Sequence, residues 1–119
     1  MVSAPDRRKD EVLAALDSLV AALGRNVAAS EQVIEQARRI EQLRSRGLPY
    51  RDIIDEAGTP LVVQLVTENL ERLRVHGAQL RQTHAAALHE EGMTMEEIAA
   101  VFGVTRQRIS ALLRTAKQD

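Results

Sequence analysis

The chain has 119 residues, of which 45% are hydrophobic, and its formal net charge is −1 at pH 7. This length predicts a single domain, with or without an additional oligomerisation arm. The sequence contains no cysteine, which excludes disulfides and thiol chemistry, and its near-neutral charge argues against strong non-specific binding to nucleic acids. Tyr50 and Phe102 are the only aromatic residues, so we predict an all-α fold with a core of aliphatic side chains.

The pattern of residues 1–60 predicts an N-terminal helical region, which begins with a hairpin of two helices. Gly24 is expected to end the first helix, and Asn26 or Ser30 to begin the second. Apolar residues recur at helical spacing in the first helix, at Val12, Leu13, Leu16, Leu19, Val20 and Leu23. The apolar stripe of the second helix comprises Val27, Ile34, Ala37, Ile40 and Leu43. We expect the two helices to be antiparallel, with apolar faces that require a partner.

A short third helix is predicted between Leu48 and Gly58. The segment around it resembles a later part of the chain at a constant offset of 45 residues, in the pairs Leu43 and Leu88, Gly47 and Gly92, Ile53 and Ile98, and Gly58 and Gly103. The similarity ends beyond Gly58, because Gln64 stands where the apolar Ile109 would be matched. Two explanations stay open: a degenerate helix-turn-helix at residues 43–60, or two similar turns that share only their caps. We assign no DNA contact to this segment.

Residues 61–91 predict one long connecting and dimerisation helix, from Leu61 to about His89. Gly77 interrupts one of its two heptad positions. The remaining heptad spacing forms a seam of Val63, Val66, Leu70, Leu73 and Leu80. We therefore predict a homodimer that associates through this helix, with or without the N-terminal hairpin. A purely intramolecular core is the alternative.

Residues 92–119 predict a helix-turn-helix unit. Thr94 and Glu97 have the spacing of a capping box at the start of a first helix, and Gly103 is suited to end it. Thr105 can cap a second helix. The inward side of that helix is Ile109, Leu112 and Leu113, which leaves Arg106, Gln107, Ser110 and Arg114 outward. Such a polar, mildly positive face is typical of a helix that lies in the major groove of DNA.

From Met95 onward, the spacing resembles the bacterial helix-turn-helix family. The pattern of that family requires apolar or small residues and a glycine where this chain has Ile98, Ala99, Phe102, Gly103, Val104, Ile109 and Leu112. The run from Val101 to Ile109 resembles the fourth, promoter-reading region of primary sigma factors. This resemblance implies a bacterial protein in which Arg106 and Gln107 read bases. We expect a cytoplasmic, nucleoid-associated location, because the sequence has no membrane-length apolar run, no signal-peptide core and no cysteine. In those sigma factors an acidic residue replaces Gln107, which implies a different target sequence for this chain.

We predict a sequence-specific transcription regulator that binds double-stranded DNA. Arg106 and Gln107 are assigned to base edges, and Ser110 to a further base or phosphate contact. Thr105, Arg108 and Arg114 are assigned to phosphates. The alternative is a protein-interaction adaptor on a helix-turn-helix frame, either associated with RNA polymerase or antitoxin-like. A regulator could also have RNA polymerase or another protein as a partner.

We expect no enzyme activity, no cofactor, no metal and no contact with a membrane. The spacings between His76, His84 and His89 are not those that place ligands on one helical face. The carboxylates alternate with basic segments, and no phosphate-binding glycine loop occurs. The sequence has no uninterrupted apolar run of about eighteen residues, the length that a membrane helix needs.

Overall fold

The computed structural model describes residues 10–57 and 61–118. These residues contain five helices and no strand: α1 Glu11–Ser45, α2 Tyr50–Ala57, α3 Val62–Glu90, α4 Met95–Phe102 and α5 Arg106–Gln118. The all-α class and the C-terminal helix-turn-helix are thus confirmed. Two compact units are formed, the middle unit of residues 21–74 and the helix-turn-helix unit of residues 1–20 with 75–119, each within the described ranges.

The predicted N-terminal hairpin is wrong, because α1 continues without a break from Glu11 to Ser45. Gly24 lies inside this helix and is not among the described glycines with a positive φ. A glycine inside a helix costs about 1 kcal/mol relative to alanine, and it ends the helix only where it adopts the left-handed conformation. Asn26, which was expected as a possible helix cap, is buried and donates its side-chain amide to the carbonyl oxygen of Asn69.

A layer of polar side chains connects α1 and α3 in the middle unit. The Nδ2 atom of Asn26 lies 3.1 Å from the carbonyl oxygen of Asn69. The Nη1 atom of Arg72 donates to Oδ1 of Asn26 at 3.2 Å and to Oδ1 of Asn69 at 3.1 Å. Ser30, which follows Asn26 by one helical turn, contacts Asn69 instead of Arg72. Asn26 contacts Arg72, whereas the later residue Ser30 contacts the earlier residue Asn69. The two helices are therefore antiparallel in this unit.

By length and composition alone, α1 is the one described helix that could cross a membrane. Core helices of soluble proteins satisfy the same criteria. In this structure Ala15, Ala22 and Ala29 of α1 are buried inside the protein. The expected absence of membrane contact stays a prediction.

The C-terminal ends of α1 and α3 have the same local geometry. Gly47 and Gly92 adopt positive φ values of 90° and 103°. The N–H group of Leu48 donates to the carbonyl of Leu43, and that of Met93 donates to the carbonyl of Leu88, which is the hydrogen bond of a Schellman motif. An eight-residue helix follows each turn, α2 in one case and α4 in the other. Gly58 of the predicted internal similarity lies outside the described residues.

We predict that Gly24→Ala raises the free energy of unfolding by about 0.5–1 kcal/mol, because alanine favours the helix interior. Nothing lies within 4 Å of the added Cβ. The matched control is Gly47→Ala, which should destabilise the protein because φ is +90° there. Urea unfolding at a fixed protein concentration measures both changes. A loss of stability in Gly24→Ala would indicate a helix break at Gly24 and restore the hairpin.

Candidate nucleic-acid interface

The core of the helix-turn-helix unit is formed by three helices, α3, α4 and α5. Ile98 of α4 and Ile109 of α5 are fully buried, as is Ala85 of α3. The ring of His84 lies 5.4 Å from that of Phe102, centroid to centroid. The cluster is completed by Ala99, Leu112 and Leu113, with Ala86, Leu88, Met93, Met95 and Phe102 at its edge. This core fixes the orientation of α5 relative to α4.

The two helices of the motif have the predicted capping interactions. Oγ1 of Thr94 accepts a hydrogen bond from the N–H group of Glu97 at 3.1 Å, and the Glu97 carboxylate accepts one from the N–H group of Thr94 at 3.0 Å. The backbone hydrogen bond from Thr94 is the main reason that the pKa of Glu97 lies below its ordinary value. Gly103 is left-handed, with φ 68° and ψ 34°. Oγ1 of Thr105 accepts from the N–H group of Arg108 at 3.1 Å.

Among the seven motif positions of the resemblance, only Val104 and the left-handed Gly103 are exposed. Ile98, Ala99, Ile109 and Leu112 are buried, and Phe102 is partly buried. Val104 remains 38% exposed. The burial of the other positions shows that the spacing in the sequence corresponds to a packed core.

Four predicted DNA-binding residues form one surface, which we call the reader face. Arg106, Gln107, Ser110 and Arg114 line a shallow groove of about 180 Å³. They come together because their spacing returns to the same side of a helix with 3.6 residues per turn. Thr105 and Arg108 are exposed but do not line this groove. The reader face thus presents two guanidinium groups, one amide and one hydroxyl, all of which can donate hydrogen bonds.

Glu96 contacts the reader face, which the sequence analysis missed. Its Oε1 atom lies 2.7 Å from Nε of Arg106, and both side chains are largely exposed, by 66% and 61%. Exposed ion pairs of this kind contribute about 0–1 kcal/mol, so DNA can displace the carboxylate. The only signal in the sequence is the acidic first turn of α4, which the turn at Gly103 brings next to the first residue of α5.

The structure also locates the predicted dimerisation residues of α3. Val63, Val66, Leu70 and Leu73 are exposed and Leu80 is half-buried. The first four belong to the middle unit and Leu80 belongs to the helix-turn-helix unit. The four exposed side chains are available to a partner.

Residues 79–118 match the family model of sigma-70, region 4. The match includes the end of α3 and all of α4 and α5, which are the helices of the core described above. The searches of curated proteins and of solved structures found no match. The C-terminal part of the chain is therefore a sigma region 4-like helix-turn-helix, a motif of the DNA-binding kind.

We predict that Glu96→Gln binds duplex DNA several-fold to about tenfold more tightly, because it removes both a competitor for Arg106 and a charge that repels phosphate. Fluorescence anisotropy at fixed salt measures the affinity. Glu97→Gln is the matched control, since it changes the same charge one residue away, where the carboxylate is bonded to Thr94. Equal gains in the two variants would show that the ion pair with Arg106 has no specific effect.

A second prediction concerns the pH dependence of the helix-turn-helix. Because the folded state lowers the pKa of Glu97, its stabilising contribution is complete above the ordinary carboxyl pKa and is lost as the pH falls through the lowered value. Glu97→Gln keeps an acceptor for the Thr94 N–H group but does not titrate. The melting temperature of the variant, followed by circular dichroism, should therefore depend less on pH in this acidic range. An unchanged pH dependence would contradict the assignment.

Proposed function

We propose that this protein is a sequence-specific transcription regulator that binds double-stranded DNA as a homodimer, with α5 in the major groove. The observation that carries this proposal is the reader face, which gathers Arg106, Gln107, Ser110 and Arg114 on the exposed side of a sigma region 4-like motif. A cytoplasmic, nucleoid-associated location without catalytic activity is part of the proposal.

The chemistry of each side chain supports a division of roles. Arg106 is suited to donate two hydrogen bonds to guanine, and Gln107 to exchange two with adenine. Ser110 would make a further base or phosphate contact, and Arg108 and Arg114 would bind phosphates. Thr105 uses its oxygen to cap α5, but its hydroxyl proton can still be donated to a phosphate.

The charge of the chain supports two copies at each target site. Residues 92–119 contain four basic residues against three acidic ones, and Glu96 neutralises Arg106 in the unbound protein. Electrostatic attraction to the phosphate backbone is consequently weak for one copy. Two copies double the number of base and phosphate contacts, which is the usual solution among helix-turn-helix proteins.

A protein-interaction adaptor is the second candidate function. It is favoured by the exposed aliphatic side chains of α1 and α3, which include Val27 and Val63. An adaptor would bind RNA polymerase or another protein through these side chains, and it would not depend on the reader face. The two functions differ in their response to substitutions in α5.

We expect selection from randomised duplex DNA, followed by sequencing at two salt concentrations, to enrich an inverted repeat. Arg106→Ala should cost about 1–3 kcal/mol at one base pair of each half-site and relax the preference there. Arg114→Ala should weaken binding to all sequences similarly and reduce the salt slope by about one unit.

Enrichment of a single short site would retain the regulator but remove the symmetric dimer on DNA. No enrichment, together with weak retention that disappears at the higher salt, would contradict direct sequence recognition. An equal loss of binding to all sequences in both variants would show that Arg106 contacts no base, whereas no effect of either substitution would favour the adaptor.

A further inference from the structure

In the middle unit, α1 and α3 each have two stripes of side chains, displaced by one residue. The inner stripes contain Ala22, Asn26 and Ala29 of α1, and Leu65, Asn69 and Arg72 of α3. The outer stripes contain Leu23, Val27 and Ile34 of α1, and Val63, Val66, Leu70 and Leu73 of α3. The seven outer side chains are between 41% and 74% exposed. We call these seven residues the apolar face.

The two outer stripes lie on the same side of the helix pair. Viewed from the N-terminus of α1, each successive residue is rotated clockwise by about 100°, so the outer stripe lies roughly a quarter turn clockwise from the inner one. In the same view α3 runs toward the observer and its residues rotate anticlockwise. Its inner stripe points in the opposite direction, toward α1. Both outer stripes therefore turn to one side and form a continuous surface.

The start of α3 corresponds to the start of α5 in its local register. The link between α2 and α3 is one residue longer than the link between α4 and α5, so the offset of 45 residues becomes 44. At this offset the buried Leu65 matches the buried Ile109. The exposed residues Val63, Val66 and Leu70 then match Gln107, Ser110 and Arg114. The helix side that carries the reader face in α5 carries aliphatic side chains in α3.

The size of the apolar face suits a dimer of this chain. Seven aliphatic residues that are 41–74% exposed offer several hundred Å² of surface per copy, the same order as the ~800 Å² that each partner buries in a standard interface. The outer stripes follow the spacing of three and four residues that pairs helices in coiled coils and bundles. None of the seven residues of the apolar face is charged, so two copies can bury this surface without an unpaired charge.

We propose that the apolar face is the homodimer interface, on which a second copy places its own apolar face. The result is a bundle of four helices, α1 and α3 from each copy, in the middle unit. This inference rests on the proposed homodimer and identifies the surface through which it forms. The interface thus includes residues of α1 in addition to the heptad seam of α3. The apolar face and the reader face have no residue in common.

A second copy fits this surface better than a membrane does. Anionic lipid surfaces favour helices with a basic polar side next to the apolar one. The charges next to the α1 stripe are mixed, since Glu31 and Glu35 precede Arg38 and Arg39. Mixed charges at the rim are compatible with a symmetric protein interface.

Sedimentation velocity over a range of protein concentrations tests the proposal with the full chain. The unchanged protein is expected to be a dimer in the micromolar range. Val27→Lys in α1 and Leu70→Lys in α3 should each raise the dissociation constant by about a hundredfold or more, because the dimer buries the new charge in both copies. Ile54→Lys is the matched control: Ile54 is also exposed, by 52%, but it lies on α2 outside the apolar face. This control should remain a dimer.

Ser30→Leu tests the same surface by a gain of association, which does not depend on a disruptive substitution. Ser30 is exposed and occupies the position of the α1 outer stripe that follows Val27, and its replacement removes only the long, 3.5 Å hydrogen bond that its hydroxyl accepts from Asn69. A leucine there would add apolar area to the interface from both copies, so the dissociation constant should fall on the order of tenfold. Circular dichroism must show the same helix content in all variants.

Several outcomes would overturn the interface. A monomer at all concentrations, including one that floats with phosphatidylglycerol vesicles, would exclude it. A dimer that persists in both Val27→Lys and Leu70→Lys would also exclude it. The same holds if Ile54→Lys dissociates as much as these two variants do. The proposed function fails separately, if the dimer forms as expected but duplex selection enriches no sequence. The monomeric variants should still bind a single half-site in a manner that depends on Arg106.

Discussion

The burial of Ile98 and Ile109 against Ala85 is the contact on which the DNA-binding surface depends. Helix α4 has only eight residues, too few to be stable by itself in water, so its stability comes from this core. Ile109 lies between Gln107 and Ser110 in the sequence. Once its side chain is directed inward, the neighbouring polar residues must point outward. The same apolar core therefore stabilises the motif and determines which side chains DNA can reach.

Local interactions begin and end the short helix α4, and the packing of α5 against it places one negative charge beside the reader face. The capping box of Thr94 and Glu97 begins α4, and the left-handed Gly103 ends it. This tight turn brings the acidic first turn of α4 near the first residue of α5. Glu96 can then neutralise Arg106 when DNA is absent. In the proposed mode of binding, this ion pair lowers non-specific attraction to phosphate more than specific recognition, because a correctly placed guanine would offer Arg106 two acceptors in return.

The same local arrangement of helices occurs twice in the chain, with different exposed side chains. In both, a helix ends in a Schellman turn, a short helix follows, and a third helix buries an aliphatic residue in its first turn, Leu65 or Ile109. The exposed side of the third helix is aliphatic in α3 and polar in α5. Backbone geometry is thus compatible with either protein association or DNA binding. The exposed side chains next to the buried ones, aliphatic in α3 and polar in α5, determine whether the surface suits a protein or DNA.

The sequence by itself determined the C-terminal motif, the length of α3 and the all-α class, because caps, glycine turns and apolar spacing act between residues a few positions apart. It did not determine the course of α1. Gly24 looked like a helix end, but its local cost is small compared with the stabilisation that the buried contacts of Asn26 and the nearby alanines provide. The sequence also could not show which of the two adjacent stripes on α1 and α3 is buried. Periodicity identifies the apolar positions, but it does not identify the helix that covers them. The pairing of Glu96 with Arg106 and the side on which the apolar stripes lie were decided by tertiary structure, because they depend on the relative orientation of separate helices.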